Sequence, residues 1–319
     1  MLPFIKEILM AVTATRKSFG QTLLELGALD ENIVVLDADL SKSTMSKMFA
    51  DKYPGRFFEM GISEANMVGA GAGLALAGKK PFICSFACFV TGRYDTIRIS
   101  VAYSLAPVRI VGTHAGIGIG EDGNSQMGLE DLGLMRGLPN MTVLQPADDL
   151  ETRQAVKWMA ENNVPSYIRL TRQNVKDVNA PGYTFRMGKA VELVPGSDVT
   201  IMVSGGPVFH AVDAAALLKK EGIKAGVVNV HTIKPIDAEG VAFFARKNGH
   251  IVTVEDHNII GGLGSAVAEV IAENGVGKLT RHGLRDVFGE SGSPEALYRK
   301  YRLDAPGIAA VVREALGRK

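Results

Sequence analysis

Residues 108–123 read VRIVGTHAGIGIGEDG. VRIVGT (108–113) is a short β-branched run, the composition of a strand. A histidine follows it, then three glycines at alternate positions, then Glu121-Asp122-Gly123. Glycine lets the backbone approach a ligand closely. Loops at strand ends are also where parallel sheets place their chemistry. There His114 and Asp122 could hydrogen-bond a polyol; the bland alternative is a flexible surface loop.

The same strand-then-loop pattern recurs on both sides. NIVVLDADL (32–40), PFICSF (81–86), MTVLQP (141–146) and PSYIRLT (165–171) are further strand candidates. Between them lie helical segments such as 148–162, with Asp148 and Asp149 at its start and Ala155, Val156, Met159 and Ala160 at helical spacing. Residues 173–197 break the rhythm with Asn174, Asn179, Pro181, Gly182, Pro195 and Gly196, and read as a linker holding one short strand, 187–194. Alternation restarts with DVTIMVSG (198–205), AGVVNV (225–230), HIVTVEDH (250–257) and KLTRHGL (278–284). The expectation is an α/β protein of two domains, 1–185 and 186–319, each a mostly parallel sheet flanked by helices. Polar strand ends mark the chemistry: Asp37, Asp39, Ser85, Thr113, His114, Gln145 and Arg172 in the first half, Asp256 and His257 in the second.

Composition narrows the class. The 319 residues hold 35 Lys+Arg against 34 Asp+Glu, a net charge of +1, which offers no footprint for nucleic acid or an anionic membrane. At 46% hydrophobic and 22% charged residues the chain has globular composition. No apolar run reaches the roughly 18 residues that span a bilayer. The opening MLPFIKEILMAV contains Lys6 and Glu7 and lacks a cleavage site, so it reads as part of the fold of a cytoplasmic protein. Two cysteines, Cys84 and Cys88, are too few for a disulfide scaffold or a Cys/His zinc site. The six histidines show no metal spacing and read mostly as surface or strand-end residues.

Two glycine clusters invite a phosphate reading. MVGAGAGLALAG (67–78) lacks the preceding strand and the later acidic residue of a dinucleotide fingerprint, so close helix packing is the better account. GGLG (261–264) opens a helix and could hold an anion or simply give tight entry to that helix. Glu64 stands at the start of an apolar helix. Periodicity leaves open whether it is a first-turn carboxylate favoured by the helix dipole or a partly buried carboxyl with a proton to share.

In order, ATRKSFG (14–20), LDADLSKS (36–43), GISEANMVG (61–69), SFACFVTG (85–92), THAGIGIGEDG (113–123) and LTRQN (170–174) resemble the pyrimidine-binding domain of transketolase. VEDHNIIGGLGSAVAE (254–269) and FGESG (288–292) resemble that family's C-terminal domain. The resemblance implies thiamine diphosphate chemistry that moves a two-carbon unit between sugars. It makes Glu64 the catalytic carboxyl that bonds N1′ of the cofactor's aminopyrimidine and supports removal of the C2 proton. Phe86 and Phe89 become the aromatic pocket for that ring, with Asp39 nearby. The family's third aromatic falls at Gly92. Arg16, Ser43 and Arg172 match residues that hold the sugar phosphate, and arginine's planar fork suits paired phosphate oxygens. His114, also catalytic, and Asp122 match residues that contact substrate hydroxyls. Gln126 replaces a family histidine.

These enzymes bind the diphosphate and Mg²⁺ with a Gly-Asp-Gly triplet, which this chain lacks, and the chain begins where the family's second domain begins. The resemblance therefore implies the C-terminal half of a split enzyme, with no metal ligands of its own. An N-terminal partner subunit would carry the Mg²⁺ and diphosphate site in a heterotetramer acting on sugar phosphates. Alternatives are the beta subunit of a 2-oxoacid dehydrogenase, a 1-deoxyxylulose-5-phosphate synthase-like enzyme and a non-catalytic regulatory subunit.

Overall fold

A computed structural model describes residues 12–318. Residues 1–11 of the opening segment, read above as part of the fold, lie outside it. The first half builds a seven-stranded sheet around VRIVGT. Its order is Thr232–Lys234, Thr142–Leu144, Ser166–Arg169, Arg109–Thr113, Lys80–Phe86, Ile33–Asp37, Phe57–Glu59. All pairings are parallel except the one made by Thr232–Lys234. Every residue of Ile33–Asp37 and Arg109–Thr113 is buried, as a parallel strand covered by helices on both faces requires.

The second half forms a five-stranded sheet: Lys278–Leu284, His250–Asn258, Val199–Val203, Ala225–Asn229 and an antiparallel edge, Val191–Val194. Helices pack against it with local sequence logic. Ala238–Asn248 starts at Asp237, whose side chain accepts the Gly240 N–H, and stops at Gly249, which takes φ 70°. The protein is thus the expected two-domain α/β fold.

Four short strands escaped the sequence reading, among them Phe57–Glu59 at one edge of the first sheet. Val12–Ala14 pairs antiparallel with Asn174–Lys176, inside the stretch read as a linker. Thr232–Lys234 comes from the second half yet closes the edge of the first sheet. Runs of three residues are too short to show a period; long-range pairing decides them. The domains are also stitched by buried polar contacts. Asn229 Nδ2 donates to the Glu151 carboxylate at 2.9 Å, and Ser204 Oγ donates to Gln145 Oε1 at 2.8 Å.

Other readings change on inspection. Four of the six histidines are buried rather than at the surface: His114, His231 and His257 at strand ends, and His282 within the strand Lys278–Leu284. Gly71 does pack tightly, since a Cβ there would meet Ile83 at 2.7 Å, but Gly69 and Gly73 face open space. The GGLG turn holds no free anion site. The N–H groups of Leu263 and Gly264 already donate to the Glu255 carboxylate, at 2.7 and 2.9 Å. Burial pushes that carboxyl up to about 7.

Candidate active site

Arg16 lies in the helix Thr15–Leu29, which starts directly after the edge strand Val12–Ala14. Its Nη1 donates to the Ser43 carbonyl at 2.6 Å and to His114 Nε2 at 3.2 Å. A guanidinium can only donate, so Nε2 accepts and the ring proton sits on Nδ1. Nδ1 then donates to Thr113 Oγ1 at 2.9 Å, and Thr113 Oγ1 donates to the Ser85 carbonyl at 3.4 Å. His114 takes φ 58° and is 2% exposed. Burial, then the charges of Arg16 and Arg172, push its pKa down to about 3. It is a neutral imidazole with one fixed tautomer.

Arg172 reaches the same loop from the other side. Its Nη1 donates to the Ile119 carbonyl at 2.7 Å and meets the Glu121 carboxylate at 3.3 Å. Its charge also depresses the Arg16 pKa, after burial, while Asp122 opposes that shift. Arg16, Arg172, His114 and the exposed Asp122 therefore form one electrostatic cluster, with Ser43 present through its carbonyl. The Arg16 Nε is buried without a partner among the described residues. Ser43 sits in the short helix Ser41–Thr44, which is held by Asp37. The buried Asp37 carboxylate accepts the Leu40 N–H and the Thr44 and Ser46 hydroxyls, at 2.7, 2.7 and 2.8 Å. Burial lifts that carboxyl to about 6.

An aromatic stack continues from His114. Phe86 lies parallel to His114, with ring centroids 3.8 Å apart, and to Phe89 at 5.5 Å. Phe86 is only 4% exposed, so the half-buried Phe89 is the ring with free surface. Next to Phe89, the Cys88 thiol donates to the Gln126 carbonyl at 3.2 Å. That contact draws the loop carrying Gln126 to the aromatic stack.

Glu64 opens the helix Glu64–Leu76, which packs against the short helix Ala87–Thr91 that carries Phe89. It is 7% exposed, and among the described residues no hydrogen bond reaches its carboxylate. Asp39 is exposed with φ 61°. The Glu59 carboxylate accepts the N–H of Asp39 at 2.7 Å and of Gly61 at 3.2 Å, tying the Asp39 loop to the approach to Glu64. The sequence reading gives Glu59 no part in the site.

A cleft of about 670 Å³ between the domains borders Arg172, with Lys176, His210, Tyr298 and Arg299 among its walls. Among the described residues no three His, Cys, Asp or Glu side chains gather as a metal site. Nor is any helix of theirs long and apolar enough to cross a membrane.

Comparisons with known proteins follow this geometry. Residues 11–178 match the transketolase pyrimidine-binding domain and residues 188–308 the transketolase C-terminal domain. A protein of Methanocaldococcus jannaschii, provisionally named a transketolase C-terminal section, is 48% identical over 305 residues, covering 94% of this chain and 96% of its own. Human transketolase is 38% identical over 94% of this chain, but only 48% of its own length is matched. Among solved structures, a split-gene transketolase described as an inactive β4 tetramer superposes with a TM-score of 0.88 at 48% identity, covering 96% of this chain and 99% of that one.

Proposed function

The chain belongs to the transketolase family, and we propose on that premise that it is the C-terminal subunit of a two-chain transketolase. It would move a ketol unit between ketose and aldose phosphates, using thiamine diphosphate. The observation that carries this reading is the convergence of Arg16 and Arg172 on a neutral His114. Two guanidiniums around an uncharged acceptor suit a dianionic phosphate carried on a polyol. A 2-oxoacid carries no such dianion, which speaks against the dehydrogenase alternative.

The residues fit the cofactor's aminopyrimidine. Glu64 is 7% exposed and has no hydrogen-bond partner among the described residues, at a helix start whose dipole favours its charge. When bound, thiamine diphosphate supplies the carbon nucleophile that carries the two-carbon unit. Glu64 shares a proton with a pyrimidine ring nitrogen. Phe89 offers its free face for stacking, and Phe86 holds it in place. The His114 Nε2, which accepts from Arg16 here, would accept from a substrate hydroxyl once Arg16 turns to the phosphate, with Asp122 acting on Arg16. Gln126 keeps a neutral donor where the family has a titrating group.

A partner subunit would bring the Mg²⁺ and diphosphate site, since the sequence holds no Gly-Asp-Gly triplet. Phe58 and Ile62, on the segment leading to Glu64, are 41% and 83% exposed, apolar surface that a covering chain would bury. The inactive β4 assembly of the split-gene relative supports the same view. Two such pairs would make the heterotetramer.

Arginine replacements test the substrate class. Arg16→Ala or Arg172→Ala in the complete enzyme should raise KM for phosphorylated sugars far more than for an unphosphorylated donor such as hydroxypyruvate. Each removes a charge-assisted contact of about 1.5–3 kcal/mol. Equal effects on both donors would make the arginines structural and remove the basis for sugar phosphates.

A further inference from the structure

The VEDH segment ends a strand of the second domain, and nothing in the site above uses it. Yet the side chain of Asp256 crosses to the first domain. Its fully buried carboxylate accepts the N–H of Ile117 at 2.8 Å and of Gly118 at 3.4 Å, and the Tyr298 hydroxyl at 2.8 Å. Gly116, at φ 80°, lies so close that a Cβ there would collide with the Asp256 carboxylate. The same loop is gripped further along. Gln173 Nε2 donates to the Tyr298 hydroxyl at 3.0 Å, and Gln173 packs on Gly118. A Cβ at Gly120 would press on Pro294, and one at Gly123 would collide with Ser291. Behind Asp256, the buried Arg169 donates to the carbonyls of Asp256 and Gly128, at 2.9 and 2.8 Å, and to Asp131 at 2.8 Å.

We propose that Asp256 is a positioning residue: through the amides of Ile117 and Gly118 it holds the loop from His114 to Gln126 in its substrate-binding shape. The next residue, Ile119, offers the carbonyl that seats Arg172. Glu121 and Asp122 follow two and three residues on. The second domain thereby sets where the phosphate-binding arginine and the hydroxyl-contacting groups stand. This assignment of effect rests on the sugar-phosphate reading above; the contact itself does not.

Asp256→Asn is the informative change. A carboxylate accepts from all three donors, whereas an amide presents one N–H₂ edge. Whichever way the amide turns, that edge faces a backbone N–H donor of Ile117 or Gly118. The full chain should be compared with Asp256→Asn and Tyr298→Phe by hydrogen exchange. The expected result for Asp256→Asn is that the Ile117 and Gly118 amides exchange about tenfold faster or more. Peptides from Arg109–Thr113 and Val199–Val203 should stay protected. Tyr298→Phe, which removes one donor and the partner of Gln173, should shift the same amides less; it decides the matter if Asp256→Asn does not fold. In the complete enzyme KM for a ketose phosphate should rise about tenfold, with a clearly smaller change for hydroxypyruvate. Unchanged exchange at Ile117 and Gly118 in the folded variant overturns the proposal, as does an equal rise in KM for both donors. If the unaltered enzyme transfers no ketol group from either donor, the functional reading fails, and exchange alone still decides whether Asp256 holds the loop.

Discussion

Glu64 carries the heaviest demand of any single residue. The residue is 7% exposed at a helix start, and no hydrogen bond among the described residues reaches its carboxylate. Glu64→Gln keeps the shape and removes the shareable proton. Turnover of the complete enzyme should fall about 10²–10⁴-fold, the usual contribution of a general acid or base, while the circular dichroism and Tm stay put. A loss below about tenfold under saturating cofactor contradicts the role. His114 makes a second residue-level prediction. With its pKa pushed down to about 3, its ring carbons should not titrate by NMR between pH 5 and 8. Because the unfolded chain binds this proton near pH 6.5 and the folded chain does not, its contribution to stability is full above about 6.5 and is lost as pH falls toward 3. A titration midpoint above about 5 contradicts the geometry. A ring held neutral does not take over proton exchange from the family histidine that Gln126 replaces. Gln126→His should therefore add a pH dependence to turnover between about 5 and 8 that the natural protein lacks.

At the scale of elements, most of the architecture was legible. Short runs such as PFICSF (81–86) and VRIVGT (108–113) became the strands Lys80–Phe86 and Arg109–Thr113. The helix expected over 148–162 is Asp149–Glu161, with the Asp148 side chain as its cap. What the sequence could not reveal was what else Asp148 binds. Its carboxylate also accepts the N–H groups of Val178 and Asn179 and the Asn179 side chain, at 3.0, 2.8 and 2.9 Å. One buried carboxylate thus starts a helix and anchors the segment joining the domains. Asp148→Ala should cost about 2–4 kcal/mol, a cap plus stranded donors, measured by urea unfolding. A change under about 0.5 kcal/mol contradicts the assignment. The site was half legible for the same reason. Residue types at strand ends exposed His114 and Arg172, and the family resemblance added Arg16, whereas the bonds of Glu59, Arg169 and Asp256 join positions 20 to 139 residues apart.

At the scale of the molecule, the two domains share a sheet edge, a buried Glu151–Asn229 contact and the Asp256 grip on the active-site loop. On the proposed reading that union makes one half of a catalytic centre, a pyrimidine pocket and a phosphate clamp, in a sequence without a Gly-Asp-Gly triplet. The central claim is that this half works only with another chain. It is tested by assaying ketol transfer from hydroxypyruvate to an aldose phosphate, with thiamine diphosphate and Mg²⁺, first with the purified single chain and then with the natively purified protein and whatever second chain accompanies it. The account predicts no transfer by the single chain and transfer once the second chain is present. Transfer by the single chain, or none by the native complex, would contradict it.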